Sequence, residues 1–285
     1  MTRRGISRRG LSRAFARLWV LLALFVAAYV GLAWAGVFHN FLFVTTDGDL
    51  AYAKSDRPGV RVLLIGNSFT FYNDMPEMLH ELAAQDPGAK PVFAVARTRS
   101  SWTLEGATED KGIDTLLHDV HWDAVVLQER SWMLSFSEDD WLRSTYPYAD
   151  ELGRKIDAAG SKGIVFETWG YRHGFDRGDS YPRMQGRLLD GAADLAQRLG
   201  MKMAPVGNAW YAAYVERPGL NLWDGDGRHP NEAGSYLAAC VFYKELTGRD
   251  PARSRFTAGL DPADAGFLQT LANRFGRGYQ GSPYD

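Results

Sequence analysis

The run Val60-Arg61-Val62-Leu63-Leu64-Ile65, followed by Gly66-Asn67-Ser68, constrains this chain more than any other stretch. Apart from Arg61, Val60 to Ile65 is apolar, rich in β-branched residues and free of turn formers. That is the pattern of a strand buried on both faces. Gly66 and Asn67 then interrupt it, because both tolerate tight backbone geometry, and Ser68 falls on the turn. A helix is expected next. Asn73 or Asp74 can cap it, Pro76 suits its first turn, and Met75, Met78, Leu79 and Leu82 share one face. The unit is strand, serine-bearing turn, helix. In open α/β sheets, ligands bind in the crevice beyond the carboxyl ends of the strands. Ser68 would lie on such a rim, as a turn former or as a nucleophile.

The pattern recurs along the chain. Strands are predicted at residues 91–96, at 124–127 ending on Gln128, at 163–166 before Glu167-Thr168-Trp169, and at 201–206. Helical segments fall between them. In the segment 182–199, Met184, Leu188, Ala192, Leu195 and Leu199 line up, and Gly200 is the stop. Strands alternating with helices imply parallel pairing through right-handed crossovers. The expected fold class is α/β, with a parallel sheet of about five strands inside a three-layer α/β/α, flavodoxin-like sandwich.

Near the other end, Trp223-Asp224-Gly225-Asp226-Gly227-Arg228-His229-Pro230-Asn231 holds Asp226 and His229 in an Asp-x-x-His spacing. A serine hydroxyl is a poor nucleophile until a base takes its proton. A histidine base in turn needs a carboxylate to fix its tautomer and stabilise the imidazolium. Ser68, Asp226 and His229 supply all three parts. A helix should follow the histidine loop, capped by Asn231, with Ala233, Leu237, Cys240 and Val241 on one face and Gly248 as its stop.

Gly66-Asn67-Ser68-x-Thr70 resembles the first motif of the SGNH (GDSL-type) serine hydrolases, with asparagine where many members carry aspartate. Asp226-x-x-His229-Pro230-Asn231 resembles their last motif, and the likeness extends over roughly residues 58–275. Among these hydrolases the nearest resemblance is to bacterial members with a GNSFT start. The resemblance implies a carboxylic-ester hydrolase that works through an acyl-enzyme, with Ser68 as nucleophile, His229 as base and Asp226 as its orienting acid. It also implies an oxyanion hole. The backbone N–H of Ser68 would supply one donor. A glycine after the second strand supplies another in the family, and Ser101 stands at that position here. An asparagine after the third strand supplies the last, and Gln128 stands there. Trp169 and Tyr171, after the fourth strand, could line the substrate cleft or pack as an aromatic loop. Two other outcomes share the scaffold: an O-acyltransferase that passes the acyl group to a sugar hydroxyl, and a catalytically silent envelope binding protein.

Residues 18–38 form an uncharged run of 21 residues, preceded by Arg3, Arg4, Arg8, Arg9, Arg13 and Arg17. About 20 apolar helical residues span a bilayer, and basic residues stay on the cytoplasmic side. The expected layout is a basic cytoplasmic tail at 1–17, a transmembrane signal anchor at 18–38, a linker at 39–58 and a catalytic domain at 59–285. The body would face the exported side, periplasmic or extracellular. A cleaved signal peptide ending before Gly36 is the alternative. With those six arginines set aside, acidic groups outnumber basic ones, so the body is not built to meet nucleic-acid phosphates. The expected partner is a small-molecule or glycan ester, with the membrane met only through residues 18–38. The one cysteine, Cys240, cannot form an internal disulfide and suits a small buried position. Asp224-Gly225-Asp226-Gly227 lacks the remaining ligands of a calcium loop, and no metal or cofactor is expected.

Overall fold

A computed structural model of the protein describes residues 43–275. The expected tail at 1–17 and the apolar segment at 18–38 lie outside these residues. Among the described residues, no helix is long and apolar enough to cross a membrane.

One sheet organises the domain, in the order β1-β3-β2-β4-β5-β6. Its strands are β1 (Thr45–Gly48), β2 (Val60–Gly66), β3 (Val92–Thr98), β4 (Ala124–Leu127), β5 (Lys162–Glu167) and β6 (Lys202–Pro205). Strands β2 to β6 pair in parallel, and these are the five expected from the sequence. Renumbered along the chain, their order is 2-1-3-4-5, the flavodoxin-like arrangement. The apolar run at residues 60–65 forms most of β2, an interior strand. Val62, Leu63, Leu64 and Ile65 are no more than 1% exposed, because β3 and β4 flank β2 and helices cover both faces.

The sixth strand corrects the expectation. β1 pairs antiparallel with β3 at the sheet edge, so within the expected linker residues 45–48 belong to the sheet. Four residues are too short to show alternation, so the sequence carries no readable signal for this strand. Gly48 shows why this piece can lie so close: at φ +94°, a Cβ there would sit 2.2 Å from the Ala94 carbonyl oxygen. A one-turn helix (Leu50–Ala53) follows. Arg61 ties it down, donating from Nε to the Ala53 carbonyl (2.9 Å) and from Nη2 to the Arg57 carbonyl (2.8 Å).

The strand order reverses at β2, so the crossover helices fall on both faces. Helices Met75–Ala84 and Glu232–Thr247 pack together on one side, and Tyr146–Ala158 and Tyr181–Leu199 on the other. The reversal lies between β2 and β4. Ser68 follows the first of these strands and Gln128 follows the second, so both stand on the rim where the fold opens a crevice.

Candidate active site

The chain leaves β2 through Asn67, whose backbone is extended (φ −135°, ψ −153°) and whose Oδ1 accepts the Phe69 N–H at 3.2 Å. Asn67 is thus the N-cap of a one-turn helix, Ser68–Phe71, and Ser68 is its first residue. Gly66 is needed for close approach and not for an unusual φ. A Cβ there would lie 2.5 Å from Gln128 Oε1 and 2.6 Å from Thr70 Oγ1. The expected long helix begins only at Met75. Before it, Asn73 and Asp74 turn the chain through the left-handed region at φ 52° and 54°, a conformation that Asn and Asp tolerate better than most residues. Asn73 caps nothing. Its Nδ2 instead donates to the Pro230 carbonyl and to Ser235 Oγ, both at 2.9 Å, and so ties the serine turn to the histidine loop.

That loop is held from several sides. Trp223 and Pro230 form an isolated antiparallel bridge, and Gly227 turns at φ +68°. Trp169 Nε1 donates to the Arg228 carbonyl and Trp223 Nε1 to the Gly170 carbonyl, each at 3.0 Å. Asn231 caps the following helix by accepting the Gly234 N–H at 3.0 Å. The result brings together residues 161 positions apart: Ser68 Oγ lies 2.9 Å from His229 Nε2. On the other side of the ring, His229 Nδ1 lies 2.5 Å from Asp226 Oδ2. A ring that gives its Nδ1–H to a carboxylate leaves Nε2 free to accept from a hydroxyl.

Asp226 is built to stay charged. Partial burial works against its ionised form. The Arg228 N–H (2.8 Å), the His229 ring and the His229 N–H (2.9 Å) outweigh that cost and hold its carboxyl below the usual value. The His229 ring is fixed face to face with Tyr72, centroids 4.2 Å apart and planes 9° apart. Phe69 meets it at a steep angle from 5.7 Å. The Tyr72 hydroxyl is itself pushed up, first by burial and then by the charges of Asp226 and Asp224. Neither aromatic neighbour was singled out from the sequence, although Phe69 and Tyr72 both flank the serine.

Ser68 and His229 open into a cavity of about 120 Å³, which Ser101, Arg130, Ser131 and Tyr171 also line. A larger hollow of about 530 Å³, beside Arg61, Lys90 and Asp119, lies at the amino ends of the strands and holds no nucleophile–base pair.

No family model matches the chain, and no curated protein matches it either. Solved structures do. A protein of Slackia heliotrinireducens assigned to the SGNH hydrolases is 31% identical, with a TM-score of 0.54, over 66% of this chain and 98% of its own. This chain belongs to the SGNH hydrolases. Two further structures share the fold. A DUF4886 family protein from Bacteroides uniformis has a TM-score of 0.65 at 21% identity, over 76% of this chain and 94% of its own. A protein assigned as a GDSL-like lipase from Parabacteroides merdae has a TM-score of 0.51 at 18% identity, over 67% and 97%.

Within this SGNH hydrolase, Gln128 and Trp169 are both buried. Gln128 is only 1% exposed, and both its amide protons are engaged. Its Nε2 donates to Asn67 Oδ1 (2.9 Å) and to the Glu129 carbonyl (2.7 Å). Its Oε1 accepts from the Asn67 N–H (3.0 Å) and the Thr70 hydroxyl (2.9 Å). A backbone donor on one side and a backbone acceptor on the other fix the amide's orientation. Gln128 therefore braces the serine turn and has no proton left for an oxyanion. Its extra methylene, relative to asparagine, carries the amide back under the turn. Trp169 is fully buried, stacked between Phe69 (4.5 Å, 4°) and Trp210 (4.2 Å, 8°), so it is core and lines no cleft. Tyr171 does line the cavity, with its hydroxyl 3.0 Å from Ser131 Oγ. Ser101 also lines it and takes φ 58°, the left-handed region that the family's glycine would occupy without strain.

Behind the rim stand two buried carboxyls that the sequence did not flag. Burial pushes Glu129 up to about 7, against the opposing pull of the Arg130 and Leu104 N–H groups. Burial pushes Glu167 up to about 8, although the Asn208 N–H and the Gln185 amide both donate to it. Glu167 closes β5 and Glu129 lies two residues past the end of β4, positions where a charge-bearing side chain after an apolar run is a readable signal of a rim.

Proposed function

We propose that this protein cleaves carboxylic esters through an acyl-enzyme carried on Ser68. The observation that carries this reading is the continuous line from Ser68 Oγ through His229 to Asp226, at 2.9 and 2.5 Å. His229 Nε2 takes the hydroxyl proton as Ser68 Oγ bonds to the carbonyl carbon. The carbonyl π electrons move onto oxygen, giving a tetrahedral oxyanion. The Ser68 N–H heads a helix and has no intrahelical acceptor. With the Ser101 N–H on the same cavity wall, it would meet that oxyanion. Collapse expels the alcohol, which receives the proton from His229. Water, deprotonated by His229, then releases the acid and restores Ser68. Asp226 keeps the ring aligned throughout. The scheme needs no metal or cofactor.

The substrate we propose is an acyl or acetyl ester of small molecules or of envelope or environmental glycans. Its support is the exported placement expected from the arginines ahead of residues 18–38. The test is a fluorophosphonate probe together with hydrolysis of a short-chain aryl ester. Labelling and turnover that both disappear in Ser68→Ala are expected. An unlabelled, inactive wild type would instead make the chain a silent binding protein. A faster loss of ester in the presence of a polyol, with acylated polyol formed, would make it an acyltransferase. Protease protection of the exported body checks the topology.

A further inference from the structure

Two arginines meet at the nucleophile. Arg130 follows β4 and Glu129 on the rim, and Arg228 immediately precedes His229. Both line the same 120 Å³ cavity as Ser68. Neither guanidinium makes an ion pair with a carboxylate among the described residues. Arg97, Arg187, Arg198 and Arg249, by contrast, are each paired with an aspartate. Instead, each lies over an aromatic ring of the cavity wall: Arg130 over Trp132 at 4.8 Å, and Arg228 over Tyr171 at 5.1 Å. Stacking on a ring face holds a guanidinium in place while leaving its N–H edge free to donate. Both positive charges also reach the Tyr171 hydroxyl, opposing the rise that burial imposes there. The fields of the two arginines thus converge on one small volume. Glu129, beside Arg130, is buried and pushed up to about 7, so it offsets the Arg130 charge only in part. Of the acids beside Arg228, neither forms an ion pair with it. Asp226 is committed to His229, and Asp224 Oδ1 accepts the Gly225 N–H.

We propose that Arg130 and Arg228 form an anion subsite beside Ser68, and that the substrate is an ester carrying a carboxylate or similar anion close to its scissile carbonyl. This rests on the ester-hydrolase reading above and narrows it to anionic esters. Planar forks of N–H donors suit a carboxylate held side-on. The charge can sit on the alcohol or on the acyl part, since both leave the same carbonyl at Ser68. A subsite of this kind also steers anions inward, so its advantage is screened by salt.

The experiment uses the full chain and two matched pairs of esters. On the alcohol side, 4-acetoxybenzoate is compared with 4-acetoxybenzamide. On the acyl side, phenyl hemisuccinate is compared with phenyl butyrate, with spontaneous hydrolysis subtracted. At least a tenfold higher kcat/KM is expected for the anionic member of one pair, and the pair that shows it tells which part bears the charge. That ratio should fall at least tenfold in Arg130→Gln and in Arg228→Gln, and it should shrink in 1 M salt. Equal turnover within both pairs would overturn the proposal. So would losses in the variants that strike charged and neutral esters alike, because the arginines would then serve the reaction centre and not a substrate anion. Binding of both ester pairs to Ser68→Ala, followed by calorimetry, needs no turnover. A charged-ester preference there, lost on adding Arg228→Gln, upholds the subsite even if the hydrolase reading fails. No preference overturns it.

Discussion

Gln128 and Asn67 hold each other by two hydrogen bonds, Gln128 Nε2 to Asn67 Oδ1 at 2.9 Å and the Asn67 N–H to Gln128 Oε1 at 3.0 Å. The pair joins the carboxyl ends of β2 and β4, the two strands between which the sheet order reverses. The same Asn67 Oδ1 caps the helix that begins with Ser68. Position of the nucleophile and integrity of the rim are therefore one structural fact.

Gln128→Ala should thus cost stability and rate together. It strands the buried Asn67 N–H and the Thr70 hydroxyl, and each unsatisfied buried group costs about 1–3 kcal/mol. For a domain of this size that lowers Tm by about 2–4 °C per kcal/mol. Gln128→Glu should be at least as damaging, because it sets a carboxylate oxygen against Asn67 Oδ1 and the Glu129 carbonyl. Calorimetric Tm, read beside kcat, checks this. A fall in kcat with Tm unmoved would return Gln128 to the oxyanion hole.

How much of this was legible in the sequence follows from range. The parallel strands and the helix Tyr181–Leu199 are local patterns, and the chain shows them within a residue or two. The pairing of Ser68 with the Asp226–His229 loop was legible because a spacing and a chemistry constrained it together. The place of Gln128 at a strand end is legible, but which way its side chain turns there is not, because only the neighbouring Asn67, Thr70 and Glu129 decide that. For Trp169 the sequence leaves cleft lining and aromatic packing open, because following a strand suits either. Its burial comes from stacking on Phe69 and Trp210, which are distant in the chain. β1 was hidden by its brevity.

Ser101 is a residue with a side chain in a left-handed backbone, at φ 58°. If only its N–H serves the site, Ser101→Gly should keep kcat/KM within about threefold, since glycine adopts this φ freely. Ser101→Val should lose both activity and Tm, because a β-branched residue pays most there. Steady-state hydrolysis with parallel melting curves is the measurement. A collapse of activity in Ser101→Gly with Tm intact would assign the hydroxyl itself a part in the chemistry.

Glu167 links stability to pH. Its folded pKa is raised to about 8 by burial, whereas a free glutamate titrates near ~4.3. Between those values the folded state binds the proton more tightly than the unfolded state does. Stability from this group is full below the unfolded pKa and is lost as pH rises through the folded one. Glu129, raised to about 7, acts with the same sign over a shorter window. Urea unfolding at pH 5, 7 and 8.5 should show stability falling as pH rises. Glu167→Gln should flatten that slope, even though its amide opposes the Asn208 N–H or the Gln185 amide and lowers stability overall. An unchanged slope would mean that Glu167 is already ionised, held by those donors at the head of the helix Val206–Glu216.

The triad makes the sharpest demand on the site. Ser68, His229 and Asp226 are joined by consecutive hydrogen bonds, so they should behave as a unit and not as independent contributors. Ser68→Ala and His229→Ala should each remove most turnover of a short-chain aryl ester, by about 10⁴–10⁶-fold by analogy with other serine triads. The double variant should lose little beyond either single one, because a base without its nucleophile has nothing left to activate. Asp226→Asn should fall less far. It loses the charge but can still accept the backbone N–H groups of Arg228 and His229, which hold the loop. Melting curves separate this from unfolding, since Ser68→Ala removes a single oxygen from a residue that is 6% exposed. Full activity in Ser68→Ala would sink the acyl-enzyme. Losses that multiply in the double variant would show that Ser68 and His229, though 2.9 Å apart, do not share a proton.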